Sequence, residues 1–159
     1  MDDDTDDRDI VFPLQPWLVP PLRELPGLLV AEQPQAVEER LFPDPTDDRR
    51  ANADWQRMVV PELRALLVSA RELVEQDLQS LAPTDATRRH WQLVIPMAHL
   101  RAWIAALNAA RLTLGVRYQI EDEDLERESE SIEDERDEAI WRVHFYGSMQ
   151  AALIDEITY

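Results

Sequence analysis

The clearest periodic pattern in the 159-residue chain lies at residues 62 to 81. Leu63, Leu66, Leu67, Ala70, Leu73, Val74, Leu78 and Leu81 recur at the spacing of one helix face, and Arg64, Arg71, Glu72, Glu75 and Gln79 fall opposite. The pattern predicts an amphipathic helix that Pro83 closes. Thr84 or Asp85 can cap a further helix from about Ala86, running to the break at Pro96. From Met97 to Val116 the chain is apolar almost all round, through Leu100, Trp103, Ile104, Leu107, Leu112 and Leu114. A helix without a wide polar face is a central one enclosed by others, and Gly115 suits its end. A last amphipathic helix is predicted from Ala139 to Ile157, with Ile140, Val143, Gly147, Ala151 and Ile154 on one side.

The first third is broken by proline. Residues 10 to 20 are apolar but carry Pro13, Pro16 and Pro20, and read as an extended segment lying over the body. Pro20-Pro21 suits the first turn of a short helix through Leu22, Leu25 and Leu28, which Pro26-Gly27 interrupts. A helical turn at 34 to 41 and a rigid loop at Phe42-Pro43-Asp44-Pro45 follow. Thr46 or Asp47 then caps a helix from about Asp48 to Val60, and Pro61 kinks it or starts the next. No alternating strand pattern persists. The expectation is an all-α, single-domain helical bundle of about four to six helices around the central apolar one, spanning residues 10 to 159. No internal repeat is visible.

Charge adds two features. The net charge is −17, and it is concentrated. Residues 2 to 9 hold six Asp and one Arg, and read as a disordered acidic arm covering residues 1 to 9. Residues 121 to 138 hold twelve acids and two Arg, an acidic insert in an otherwise nearly neutral body. No basic cluster offers a grip on a nucleic-acid backbone or an anionic membrane surface, so neither partner is expected. The opening Met1-Asp2-Asp3-Asp4 is the reverse of a secretory signal, and no apolar run approaches the about 20 residues of a membrane span. A cytoplasmic protein is expected.

Candidate chemistry is sparse. With no cysteine, thiolate catalysis and Cys-ligated metals are excluded, and with no lysine so are Schiff-base and P-loop chemistries. His90, His99 and His144 have no ligand-type neighbour one helical turn away, and the residues three before them are Thr87, Pro96 and Trp141, so no metal site is expected. His90 and His99 read as surface or cap residues. Glu72 and Glu75 share a face, and beside Arg71 they read as a solvated one. The five tryptophans read as core anchors, with Trp17, inside the proline-rich segment, also suited to a partner's pocket. The most unusual polar residues are Asn108 and Arg111, one turn apart in the most apolar helix. A buried arginine needs a partner, and a carboxylate from the Asp44 to Asp48 loop, Asp47 or Asp48 among them, is the expected one. The structural reading is a polar network that fixes helix register. The functional alternative is an anion or peptide-terminus pocket formed by Asn108, Arg111 and Arg117.

Arg40-Leu41-Phe42-Pro43, the pair Asp47-Asp48, and the block Trp103-Ile104-Ala105-Ala106-Leu107-Asn108-Ala109-Ala110-Arg111-Leu112-Thr113-Leu114-Gly115-Val116-Arg117 together resemble a bacterial family of unknown function, number two thousand and seventeen of its kind. The resemblance extends over roughly residues 35 to 157, through Trp141 and Gln150-Ala151-Ala152-Leu153. No enzymatic activity is implied by it, and no cofactor is expected. Members are often encoded beside the adaptor that feeds substrates to the Clp protease, which implies a link to protein turnover. The function expected is therefore a non-enzymatic regulatory or adaptor domain acting through protein–protein contacts, with the acidic segments steering a basic protein partner. The alternative is a helical small-molecule or anion sensor using Asn108, Arg111 and Arg117. A homo-oligomer is compatible with the sequence.

Overall fold

A computed structural model describes residues 8–30, 32–127 and 131–158. The acidic arm expected at residues 1 to 9 lies mostly outside the described residues, and so do the three positions 128–130 of the acidic insert.

The described residues form seven α-helices and a small sheet. Strand β1 (Asp9–Leu14) leads through a 3-10 turn into α1 (Val19–Glu24), and a second 3-10 turn over Leu25–Leu28 absorbs Pro26-Gly27. Then come α2 (Gln35–Leu41), α3 (Arg49–Met58), α4 (Val60–Asp77), β2 (Ala82–Pro83), β3 (Trp91–Pro96), α5 (Leu100–Arg117), α6 (Asp122–Glu126) and α7 (Glu135–Thr158). The helical bundle is present, but the chain is not purely α.

The sheet corrects two expectations. Residues 10 to 20 do not simply drape over the body. Their first part is β1, antiparallel to β3 with Asp9 opposite Pro96 and Leu14 opposite Trp91. The helix expected from Ala86 is instead a loop leading to β3, the middle strand, which β2 flanks at Gln92 and Trp91. The cause is visible in β3 itself. Trp91, Leu93 and Ile95 alternate with Gln92, Val94 and Pro96, and only the first set is buried. That is a period of two with β-branched and aromatic residues, which suits a half-buried strand. Proline 13 is tolerated because β1 is an edge strand.

Helix boundaries follow local chemistry. Asp48, one residue after the expected caps, accepts a hydrogen bond from the Arg50 backbone N–H at 3.1 Å and starts α3. Pro61 lies in the first turn of α4, where a missing N–H costs nothing. The expected stop at Gly115 is displaced. Helix α5 runs on to Arg117, and Gln119 takes the left-handed conformation (φ 50°) while the Ile120 N–H reaches the Gly115 carbonyl at 2.9 Å.

Helix α5 is the axis of the molecule. Its Trp103, Ala106, Leu107, Ala110 and Leu114 are fully or almost fully buried against α7, α4, α2 and the 3-10 turn at 25–28. Tyr146 of α7 is fully buried, and its hydroxyl donates to the Pro21 carbonyl at 2.7 Å, joining the last helix to the first. Helix α5 is not enclosed all round, however. Arg101, Ala105 and Asn108 are exposed and Leu112 is half-buried, at the i, i+4, i+7, i+11 spacing of a single stripe. That uncovered stripe defines the surface relief on this side of the molecule.

Candidate functional site

Two concave regions and one buried polar cluster stand out. The first concavity, of about 900 Å³, is built by the acidic insert. Its floor is Ile140 and Trp141 of α7, with Ile132 at one edge and the exposed His144 one turn further along α7. Its rim is Asp124, Glu126 and Asp137, with Arg127 and Arg136 between them. The local sequence explains how an acid-rich segment folds here. Helix α6 begins with a capping box in which the Asp124 carboxylate accepts the Glu121 N–H at 2.9 Å. Asp134 accepts the Asp137 N–H at 2.8 Å at the start of α7. Carboxylates at helix N-termini are favourable there.

Arg136 is the clasp between the two helices. It meets Asp124 through both terminal nitrogens, at 2.6 and 3.2 Å, and also donates to the Tyr118 and Gln119 carbonyls at 3.1 Å. The guanidinium holds the Asp124 carboxyl below the usual carboxylate range, and Asp124 in turn raises Arg136. With Arg136 committed to the clasp, Glu126 and Asp137 keep no arginine partner among the described residues. The groove is an apolar, aromatic floor with a charged rim of three acids and two arginines, one acid and one arginine of which are tied to each other in the clasp. Trp141 is stabilised by stacking on Phe145, 5.9 Å between ring centres.

The second region follows the open stripe of α5. An apolar groove of about 340 Å³ is lined by Leu41 and Phe42 after α2, Leu63, Leu66 and Leu67 of α4, and Ala105, Asn108 and Leu112 of α5. It adjoins a polar notch of about 300 Å³ that contains Arg40, Arg111 and Asp122 and shares Asn108 and Leu112 with the groove. The sequence-flagged pair Asn108 and Arg111 thus meets in one cavity. Arg117, Asp47 and Asp48 are not part of it. Arg117 is exposed and donates to Gln33 Oε1 at 3.1 Å, Asp48 caps α3, and Asp47 is exposed in the preceding loop.

The expected pairing of Arg111 with a loop carboxylate is not what the structure shows. Its Nη1 donates to Gln150 Oε1 of α7 at 2.9 Å, and its Nε is buried without a partner. The geometric reason is Gly147. A Cβ there would lie 3.3 Å from Arg111 Nε, so the glycine lets α7 lie against the guanidinium, beside its partner Gln150. The loop is occupied elsewhere, Asp44 receiving Gln56 at 3.1 Å.

Sequence reasoning did not single out Asp77. Its carboxylate is buried (6 % exposed) and accepts three contacts, from His99 Nδ1 at 2.9 and 3.0 Å and from Trp103 Nε1 at 2.8 Å. The available signal was positional, because Asp77 continues the buried spacing of Ala70 and Val74. Nearby, Ser80 Oγ accepts the Val94 N–H at 3.0 Å and donates to the Asp77 carbonyl at 2.8 Å, tying β3 to the end of α4. The geometry of this cluster is that of a structural joint. His90 pairs instead with the exposed Asp85 at 3.0 Å, and Arg71 with Glu75 at 2.9 Å. Trp17, expected to pack on the body, is 63 % exposed.

Among the described residues no group of three or more acids and histidines gathers as a metal site, and no helix is long and apolar enough to cross a membrane. A family model described as a domain of unknown function, DUF2017, matches residues 14–157. No curated protein and no solved structure matches the chain.

Proposed function

The chain belongs to the DUF2017 family, whose description assigns no activity, and on that premise we propose a non-enzymatic regulatory or adaptor domain that docks a basic segment of a partner protein in the α6–α7 groove. One observation carries this reading: the groove joins an aromatic, apolar floor of Ile140 and Trp141 to a rim on which acids outnumber arginines and where Glu126 and Asp137 make no ion pair among the described residues. An arginine side chain fits both parts, its planar face over the indole and its guanidinium forked onto a carboxylate. The surplus negative charge of the molecule steers such a partner towards it. Protein turnover is the setting we propose, on the gene neighbourhood that the sequence resemblance implies.

The test is capture of partners on two baits, the intact protein and one carrying Glu126→Gln, Asp137→Asn and Trp141→Ala. The reading predicts a basic protein retained by the first bait, released by salt, and absent from the second. The same proteins on both baits, in the same amounts, would remove the groove from the account.

A further inference from the structure

The open stripe of α5 carries a second site. We propose that the α2–α4–α5 face receives the carboxy-terminal residue of a peptide chain, its apolar side chain in the groove and its free carboxylate in the arginine notch. This site shares only Leu125 of α6 with the α6–α7 groove, and it gives the adaptor reading the second contact that a bridging protein requires.

The first argument is charge. In a chain of net charge −17, Arg40 and Arg111 have no carboxylate partner among the described residues. Two other arginines of the neighbouring helices are paired, by contrast. Arg64 grips Glu38 with two hydrogen bonds, and Arg142 takes both Glu24 and Glu138. Arg111 is half-buried and spends only one of its five N–H groups, on Gln150. The notch holds two guanidiniums against the single carboxylate of Asp122, so its complement is an anion. A carboxylate matches the guanidinium fork.

The second argument is adjacency. The notch and the apolar groove share Asn108 and Leu112, so an apolar group and an anion are wanted side by side. A chain terminus supplies both from one α-carbon. Asn108, exposed at the seam with no hydrogen bond of its own among the described residues, offers an amide for the terminal peptide group. On the far side, Leu66 is 66 % exposed, an apolar side chain left in water on the wall of the groove. Neither concavity is enclosed. A small molecule prefers a pocket that encloses most of its surface, whereas a chain terminus is held along one side.

The experiment uses a fluorescein-labelled hexapeptide, Gly-Ser-Gly-Ala-Leu-Leu, as the free acid and as the amide, followed by anisotropy. Companion peptides end in Ile, Val or Phe. The proposal predicts saturable binding of at least one free acid and roughly tenfold weaker binding of its amide, the loss of a charge-assisted fork. Arg40→Gln and Leu66→Asp both change exposed side chains. Each is expected to weaken binding about fivefold or more with the melting temperature unchanged. Equal binding of acid and amide overturns the proposal, and so does the lack of saturation by any of the acids up to about 1 mM. Full competition by free leucine or octanoate at equal concentration also overturns it, reassigning the notch to a small carboxylate. None of these results depends on Glu126, Asp137 or Trp141, so failure here leaves the α6–α7 reading standing.

Discussion

Asp77 sits where α4 would otherwise present an apolar side chain, and its carboxylate gathers the ring N–H groups of His99 and Trp103. Trp103 is fully buried, so its indole N–H has no access to water if the carboxylate is removed. Leaving such a donor unpaired costs about 1–3 kcal/mol, and more for charged partners. Asp77→Ala is therefore expected to destabilise the fold by about 3 kcal/mol. In a domain of this size that lowers the melting temperature by roughly 10 °C. Calorimetry checks it, and Asp77→Asn should cost less because an amide oxygen still accepts from one ring. This residue also shows what a single sequence conceals. An aspartate on a helix reads as solvated, and only its register against Ala70 and Val74 marks it as buried. Asn108 and Arg111 were legible because they interrupt an apolar run. Their surroundings were not, since Gly147 and Gln150 lie on another helix and no local pattern links them to Arg111.

Elements were legible where one periodicity dominated. Helices α4 and α7 follow from 3.6-residue spacing and α5 from an unbroken apolar run, and Pro61 marks the first turn of α4. The sheet was missed for a physical reason. Strands β1 and β3 are six residues each, and a proline in each leaves an alternation too short to stand out. Their pairing joins residues more than 75 positions apart, which no local window contains. The end of α5 was misplaced because the left-handed position falls on Gln119 and not on Gly115. A non-glycine residue there carries steric strain. Gln119→Gly is expected to stabilise the protein by roughly 0.5–1 kcal/mol, the cost of a side chain in this conformation less the entropy that glycine adds to the unfolded chain. Denaturant unfolding with an unchanged slope would register it as a higher midpoint. Destabilisation instead would mean that the Gln119 side chain contributes contacts outweighing its strain.

At the scale of the whole molecule, charge and fold are coupled through the Asp124–Arg136 clasp. Arg136 lowers the Asp124 pKa in the folded state, so the clasp contributes fully above the ordinary carboxylate range and is lost as pH falls through the lowered value. Acidification is thus expected to detach α6 from α7 before the α4–α5–α7 core melts. Backbone NMR would show it as amide shifts confined to residues around 118–140 at a pH below the ordinary carboxylate range, with Trp103 and Tyr146 unmoved. Arg136→Gln should produce the same local change at neutral pH. Uniform movement of the core in either experiment would mean that the clasp is part of the cooperative unit.

The most direct test of the docking account compares two variants that each remove two negative charges. One carries Glu126→Gln and Asp137→Asn in the groove, the other Glu72→Gln and Glu156→Gln on exposed helix surfaces away from it. The measurement is the affinity of a fluorescein-labelled, arginine-rich peptide for each, at low and moderate salt. A site at the groove predicts that the first variant loses about tenfold while the second stays within about twofold of the intact protein, a difference that net charge alone does not produce. Equal losses in both variants would contradict the account, leaving only a general attraction between a basic peptide and an acidic protein.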